Sequence, residues 1–186
     1  MAYKMYDPQG QEVTYNNLQE KGVWCVIGAS KEEAFVQLYG EQLNLVINPE
    51  KEDDPYSPDL YDTQKSIRAD LKTQNTPFFQ AQTRFGISPQ HAIVFNGKDR
   101  ERYKSKYSEI DIYFIVDWQA VKFETNNNSI EVEPMTGVWR ISFTKLDELC
   151  EAADYHTYQQ RVGDTRGNAR GSYVLDITNP AFEKVI

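Results

Sequence analysis

Between residues 67 and 73 apolar and charged side chains alternate strictly, with Ile67, Ala69 and Leu71 set against Arg68, Asp70 and Lys72. A period of two sends each set to one face of a strand, so this segment buries one face and presents acid and base together on the other. Residues 110–116 form a longer run of β-branched and aromatic side chains, and residues 43–47, 59–61 and 92–95 form shorter strand candidates. A helix signal precedes them. Ser30 reads as an N-cap and Glu33, three residues on, completes a capping box. The helix is expected to run to about Tyr39 with Phe35, Val36 and Tyr39 on one face, and Gly40 is expected to end it. Strands interleaved with helices predict an α/β domain.

The rest of the chain extends this pattern. Residues 1–22, broken by Pro8, Gly10 and Asn16-Asn17, read as an irregular arm, and residues 23–27 as a short apolar run. Residues 50–58 read as an acidic, proline-bearing loop and residues 62–65 as a polar turn. Beyond the long run, residues 121–123, 130–132, 138–143 and 172–177 read as strands, 126–128 as a turn and 146–161 as a helix. One domain spanning 1–186 is expected, with the arm at 1–22, a core at 23–117 and a C-terminal elaboration at 118–186.

Composition narrows the function classes. A chain of 186 residues with 40% hydrophobic and 13% aromatic residues can bury a sizeable core. No stretch approaches the roughly 20 apolar residues of a membrane span, and the first residues lack the layout of a secretory signal. Cys25 and Cys150 stand far apart in apolar surroundings, which predicts buried free thiols and an intracellular protein. His91 and His156 are the only histidines and make no zinc pattern with those cysteines. No phosphate-binding P-loop, nucleophile elbow or dinucleotide-binding glycine turn is present. The net charge of −8 runs against the basic footprint of most nucleic-acid binders, although the distribution of charge counts for more than its total.

The chemistry concentrates at Pro58-Asp59 and Asp70-Leu71-Lys72. Asp70 and Lys72 share a strand face, and a neighbouring strand that starts at Asp59 brings a second carboxylate alongside. Two carboxylates with substrate phosphate oxygens satisfy an ion such as Mg²⁺ or Mn²⁺, which keeps several waters. Lys72 then supplies a cation for the developing charge. The pattern predicts metal-assisted phosphodiester hydrolysis.

These residues resemble the PD-(D/E)xK nuclease superfamily, with Asp70 where the family more often carries Glu. Upstream, Gly28-Ala29-Ser30-Lys31-Glu32-Glu33-Ala34-Phe35-Val36 is similar to the opening helix of Holliday-junction resolvases and Mrr-type endonucleases, and Glu32 matches their metal-site glutamate. The resemblance covers roughly residues 28–117. It implies a restriction-endonuclease-like core with a mixed central sheet flanked by helices, and a cytoplasmic, prokaryotic or phage-encoded deoxyribonuclease acting as a homodimer. Glu32, Asp59 and Asp70 are the implied Mg²⁺ ligands and Lys72 the implied catalytic cation. Gln74, again on the same face, is expected to meet phosphate or water.

DNA contacts are expected from Lys98, Arg100 and Arg102, in a segment at 98–106 with five basic residues against two acidic ones, and from Arg161, Arg166 and Arg170. Other readings stand beside these. Arg68, Asp70 and Lys72 also read as a solvated ladder, Pro58-Asp59 as a turn, and Glu32 as an exposed first-turn acid suited to the helix dipole. The basic segment also reads as an ordinary surface helix, and Tyr103, Tyr107, Tyr155 and Tyr158 as core or interface packing rather than base-stacking groups. As a whole, the acidic chain also reads as a non-catalytic binding protein, either a nuclease fold that has lost its activity or an acidic DNA mimic that occupies a nucleic-acid-binding partner.

Overall fold

A computed structural model describes residues 3–14, 30–157 and 171–186. The apolar run at 23–27, Cys25, Gly28, Ala29, most of the second half of the arm, Tyr158, Arg161, Arg166 and Arg170 lie outside the described residues. The architecture is α/β, built on a mixed six-stranded sheet flanked by helices.

The core of that sheet follows the chain in order. Helix α1 (Lys31–Leu43) leads into β3 (Leu45–Ile47), β4 (Leu60–Asp62) and β5 (Ile67–Gln74), which form an antiparallel meander. A crossover then passes through α2 (Ala81–Phe85), β6 (Ala92–Asn96) and α3 (Gly97–Lys106). It returns as β7 (Asp111–Asp117), parallel to β5 with Asp70 opposite Ile112 and Lys72 opposite Phe114. β10 (Thr136–Ser142) adds antiparallel to β7, and β13 (Glu183–Lys184) closes the far edge. β7 is buried on both faces, as a sheet covered on both sides requires. Ile112, Phe114 and Val116 enter the larger core with Tyr103, Phe143 and Leu146, while Tyr113 and Ile115 pack with Phe35 of α1.

Helix α4 (Phe143–Ala152) follows β10, and β11 (Tyr155–His156), β12 (Ser172–Asp176) and β6 form a second, three-stranded sheet. β1 (Tyr3–Tyr6), β2 (Glu12–Val13), β8 (Lys122–Thr125) and β9 (Asn128–Glu131) form a third. Among the described residues no helix is long and apolar enough to cross a membrane.

Three expectations are corrected. The described part of the arm is a hairpin rather than irregular chain: β1 pairs with β2, Met5 opposite Val13, and with β8, Met5 opposite Phe123, and Met5 and Val13 are buried. The Asp7 carboxylate holds its turn by accepting the N–H groups of Gln9 and Gln11. Gly40 does not end α1. It lies inside the helix, where a Cβ would come within 2.7 Å of the Leu45 carbonyl oxygen. The helix runs three residues further, to Leu43, and is capped by Asn44 in the left-handed conformation (φ 57°), whose N–H bonds the Gly40 carbonyl. The predicted 146–161 helix is replaced by α4, which starts earlier and ends at Ala152, because Tyr155 is drawn into pairing with Tyr173 of β12. The N-terminal expectation holds: Ser30 and Glu33 form the reciprocal capping box.

Candidate active site at the β4–β5 hairpin

Pro58-Asp59 is more than a turn. The Asn48 amide N–H bonds the Asp59 carbonyl at 3.0 Å, and the buried Asn48 side chain donates to the Pro58 carbonyl at 2.9 Å, so the segment prolongs the β3–β4 pairing. That places Asp59 beside Asp70 across the hairpin, where the Asp59 N–H donates to Asp70 Oδ1 at 3.2 Å. Asp70 is 2% exposed, which removes the solvated-ladder reading, and Arg68 turns instead to the Glu50 carboxylate at 2.8 Å and 2.5 Å. A buried carboxylate persists only when paired and hydrogen-bonded. Asp70 is paired: Lys72 Nζ lies 2.7 Å from Oδ2, and the Tyr103 hydroxyl donates to the same oxygen.

Helix α3 supplies the rest of the site. Lys72 is held between Asp70 and Asp99, the latter at 2.6 Å, and stands over the Tyr103 ring. Arg102 packs its guanidinium on that ring at 4.8 Å, donates to the Tyr103 hydroxyl at 2.9 Å and pairs with Asp99 at 3.3 Å. Its Nε is buried with no hydrogen-bond partner among the described residues. From the opposite side Lys51, on a 3₁₀ turn at Pro49–Glu52, forms an ion pair with Asp59.

Electrostatics divide these groups. Burial opposes the Lys72 charge, but Asp70, Tyr103 and Asp99 outweigh it and raise its pKa, so Lys72 is a fixed cation rather than a base. Burial also raises the Tyr103 pKa and keeps its hydroxyl a donor. The Asp59 carboxyl is raised, first by burial and then by the Asp70 charge. Lys51 opposes this, and Glu32 adds further repulsion. Two neighbouring carboxylates that repel one another are the oxygen donor set that a hard divalent cation relieves.

The expected residues divide accordingly. Asp59, Asp70 and Lys72 are brought together. Glu32 sits half-buried in the first turn of α1 and its charge reaches Asp59. It does not close a three-acid cluster, since no group of three or more His, Cys, Asp or Glu side chains close enough to hold a metal occurs among the described residues. Asp59 and Asp70 are the two carboxylates that the hairpin brings together, each already paired with a lysine.

Gln74 is committed elsewhere: its amide donates to the Thr76 and Ala92 carbonyls, each at 3.2 Å, and accepts the Val94 N–H at 3.0 Å. Arg100 is likewise engaged, bonding Asp147 at 2.5 Å and the Tyr173 hydroxyl at 2.8 Å, so it clasps α3 to α4. Lys98 is exposed beside the Asn96 cap, and Arg102 belongs to the site itself. Lys51, Asp99 and Tyr103 are site residues that sequence spacing misses. The one available signal for the last two was the i, i+4 spacing that puts Asp99 and Tyr103 on one helix face. Comparisons of the chain with protein-family models, with curated proteins and with solved structures find no match.

Proposed function

We propose that this protein is a divalent-cation-dependent endonuclease of the PD-(D/E)xK type, hydrolysing phosphodiester bonds in DNA. The observation that carries the reading is the contact of Asp59 with Asp70 across one hairpin, with the Lys72 ammonium 2.7 Å from the second carboxylate. The antiparallel β3–β4–β5 meander followed by a crossover to a parallel β7 supports it, because this is the order expected of a restriction-endonuclease-like core.

A Mg²⁺ or Mn²⁺ ion on Asp59 and Asp70 would supply a water of lowered pKa and offset charge on the scissile phosphate. The chain's own groups do the rest. The Asp59 N–H and the Tyr103 hydroxyl fix the Asp70 carboxylate, Lys72 would face the charge that builds on the phosphate, and Glu32 adds negative charge that reaches Asp59. One such site cuts one strand, so a homodimer would make paired cuts.

The second reading, a non-catalytic binding protein, is favoured by one observation: Lys51 and Lys72 already form ion pairs with both carboxylates from within the chain. Incubation with plasmid, linear, branched and single-stranded DNA in Mg²⁺, Mn²⁺ or EDTA separates the two. The nuclease reading expects metal-dependent cleavage, reduced at least about a hundredfold in Asp70→Asn and in Lys72→Ala, with circular dichroism unchanged. Absence of cleavage on every substrate, or full activity in both variants, contradicts it.

A further inference from the structure

We infer that Lys51 is a resident counter-ion of the carboxylate pair: its ammonium sits beside Asp59 where a divalent cation would bind, and it swings out when the cation arrives. This rests on the reading of Asp59 and Asp70 as a cation site.

The two lysines of the site are tethered differently. Lys72 is locked between Asp70 and Asp99. Lys51 has one ion pair among the described residues, to Asp59, and its side chain is 26% exposed, so solvent is open to it on release. The turn beneath it is fixed. Asn48 accepts the Glu50 N–H at 3.2 Å while its own amide grips Pro58, the Asp54 N–H bonds the Glu50 carbonyl at 2.9 Å, and the Glu50 carboxylate clamps Arg68. Anchored at these points, the turn delivers Lys51 onto Asp59 while leaving the flexible four-carbon stem free to rotate away. An ammonium and a dication on the same carboxylate repel each other, so one replaces the other. Lys51 thereby sets the cation affinity of the site, and it keeps the Asp59 carboxylate of the cation-free hairpin from standing uncompensated beside Asp70.

The test uses the full chain and its Lys51→Met variant, which preserves stem length without charge. Mn²⁺ affinity is measured by calorimetry, and thermal unfolding is followed with and without Mn²⁺. Lys51→Met is expected to unfold at lower temperature without metal, to bind Mn²⁺ about tenfold more tightly, and to match the wild type when loaded, because the two effects cancel around the cycle. Equal destabilisation of the metal-free and loaded forms would make Lys51 merely structural and overturn the inference. Unchanged or weaker Mn²⁺ binding in the variant would overturn it too, while leaving the wild-type cation site standing. Failure of both proteins to bind Mn²⁺ would remove the cation site and the inference together.

Discussion

Asp59 carries an electrostatic cost in the folded protein. Its folded pKa is raised by burial and by Asp70 beyond what Lys51 offsets, so the native state binds this proton more tightly than the unfolded chain does. The stability it contributes is therefore fully present below its unfolded pKa of about 3.9 and lost as pH rises through the raised folded value. At neutral pH the charge is a burden. Asp59→Asn is expected to raise the melting temperature of the metal-free protein at pH 7, with the gain shrinking as pH falls and vanishing near pH 4. A variant that melts lower than the wild type at every pH would contradict this. Asp147 has the opposite sign: burial raises it, but hydrogen bonds from Lys104 and Arg100 win and lower it, so its contribution is present above about pH 3.9 and lost below. The contrast is between a carboxylate whose charge tightens the fold and one whose charge strains it.

At the scale of elements, the six-stranded and three-stranded sheets meet where the Gln74 amide joins the end of β5 to the backbone of β6. Gln74→Leu would leave the Val94 N–H and the Ala92 carbonyl without that side-chain partner. It is expected to cost about 1–3 kcal/mol of stability with Mn²⁺ affinity unchanged, as measured by denaturant unfolding and calorimetry. Loss of Mn²⁺ binding at full stability would instead return Gln74 to the site. The same contrast shows what was legible in the chain. The α1 start, β5 and β7 announce themselves locally, through a capping box, a strict alternation and a β-branched run. β1, β2 and β13 do not, because they are four residues or fewer; β1 and β13 exist through pairing with distant strands, and β2 only through its pairing with β1. Within the site, Asp59, Asp70 and Lys72 were readable because one hairpin joins them. Lys51 was not, since an anchored turn aims it, and Tyr103 was not, since packing of α3 against Phe95 and Phe143 sets its place. Arg100 was misread for a related reason. A basic helix face is visible in sequence, while its acceptors on α4 are not.

For the whole molecule, the charge of −8 is compatible with a nucleic-acid substrate only if the interaction is local. Much of the basic charge is spent inside the chain: Arg68 on Glu50, Arg140 on Glu183, Lys104 on Asp147 and Lys122 on Glu131. The account therefore depends on one point, the Asp59–Asp70 pair, accepting a dication beside a phosphate. Anomalous diffraction from crystals soaked in Mn²⁺ tests that point directly. A peak about 2 Å from carboxylate oxygens of both Asp59 and Asp70 is the predicted result; crystals with no peak at this pair, or with manganese bound only elsewhere, would contradict the account.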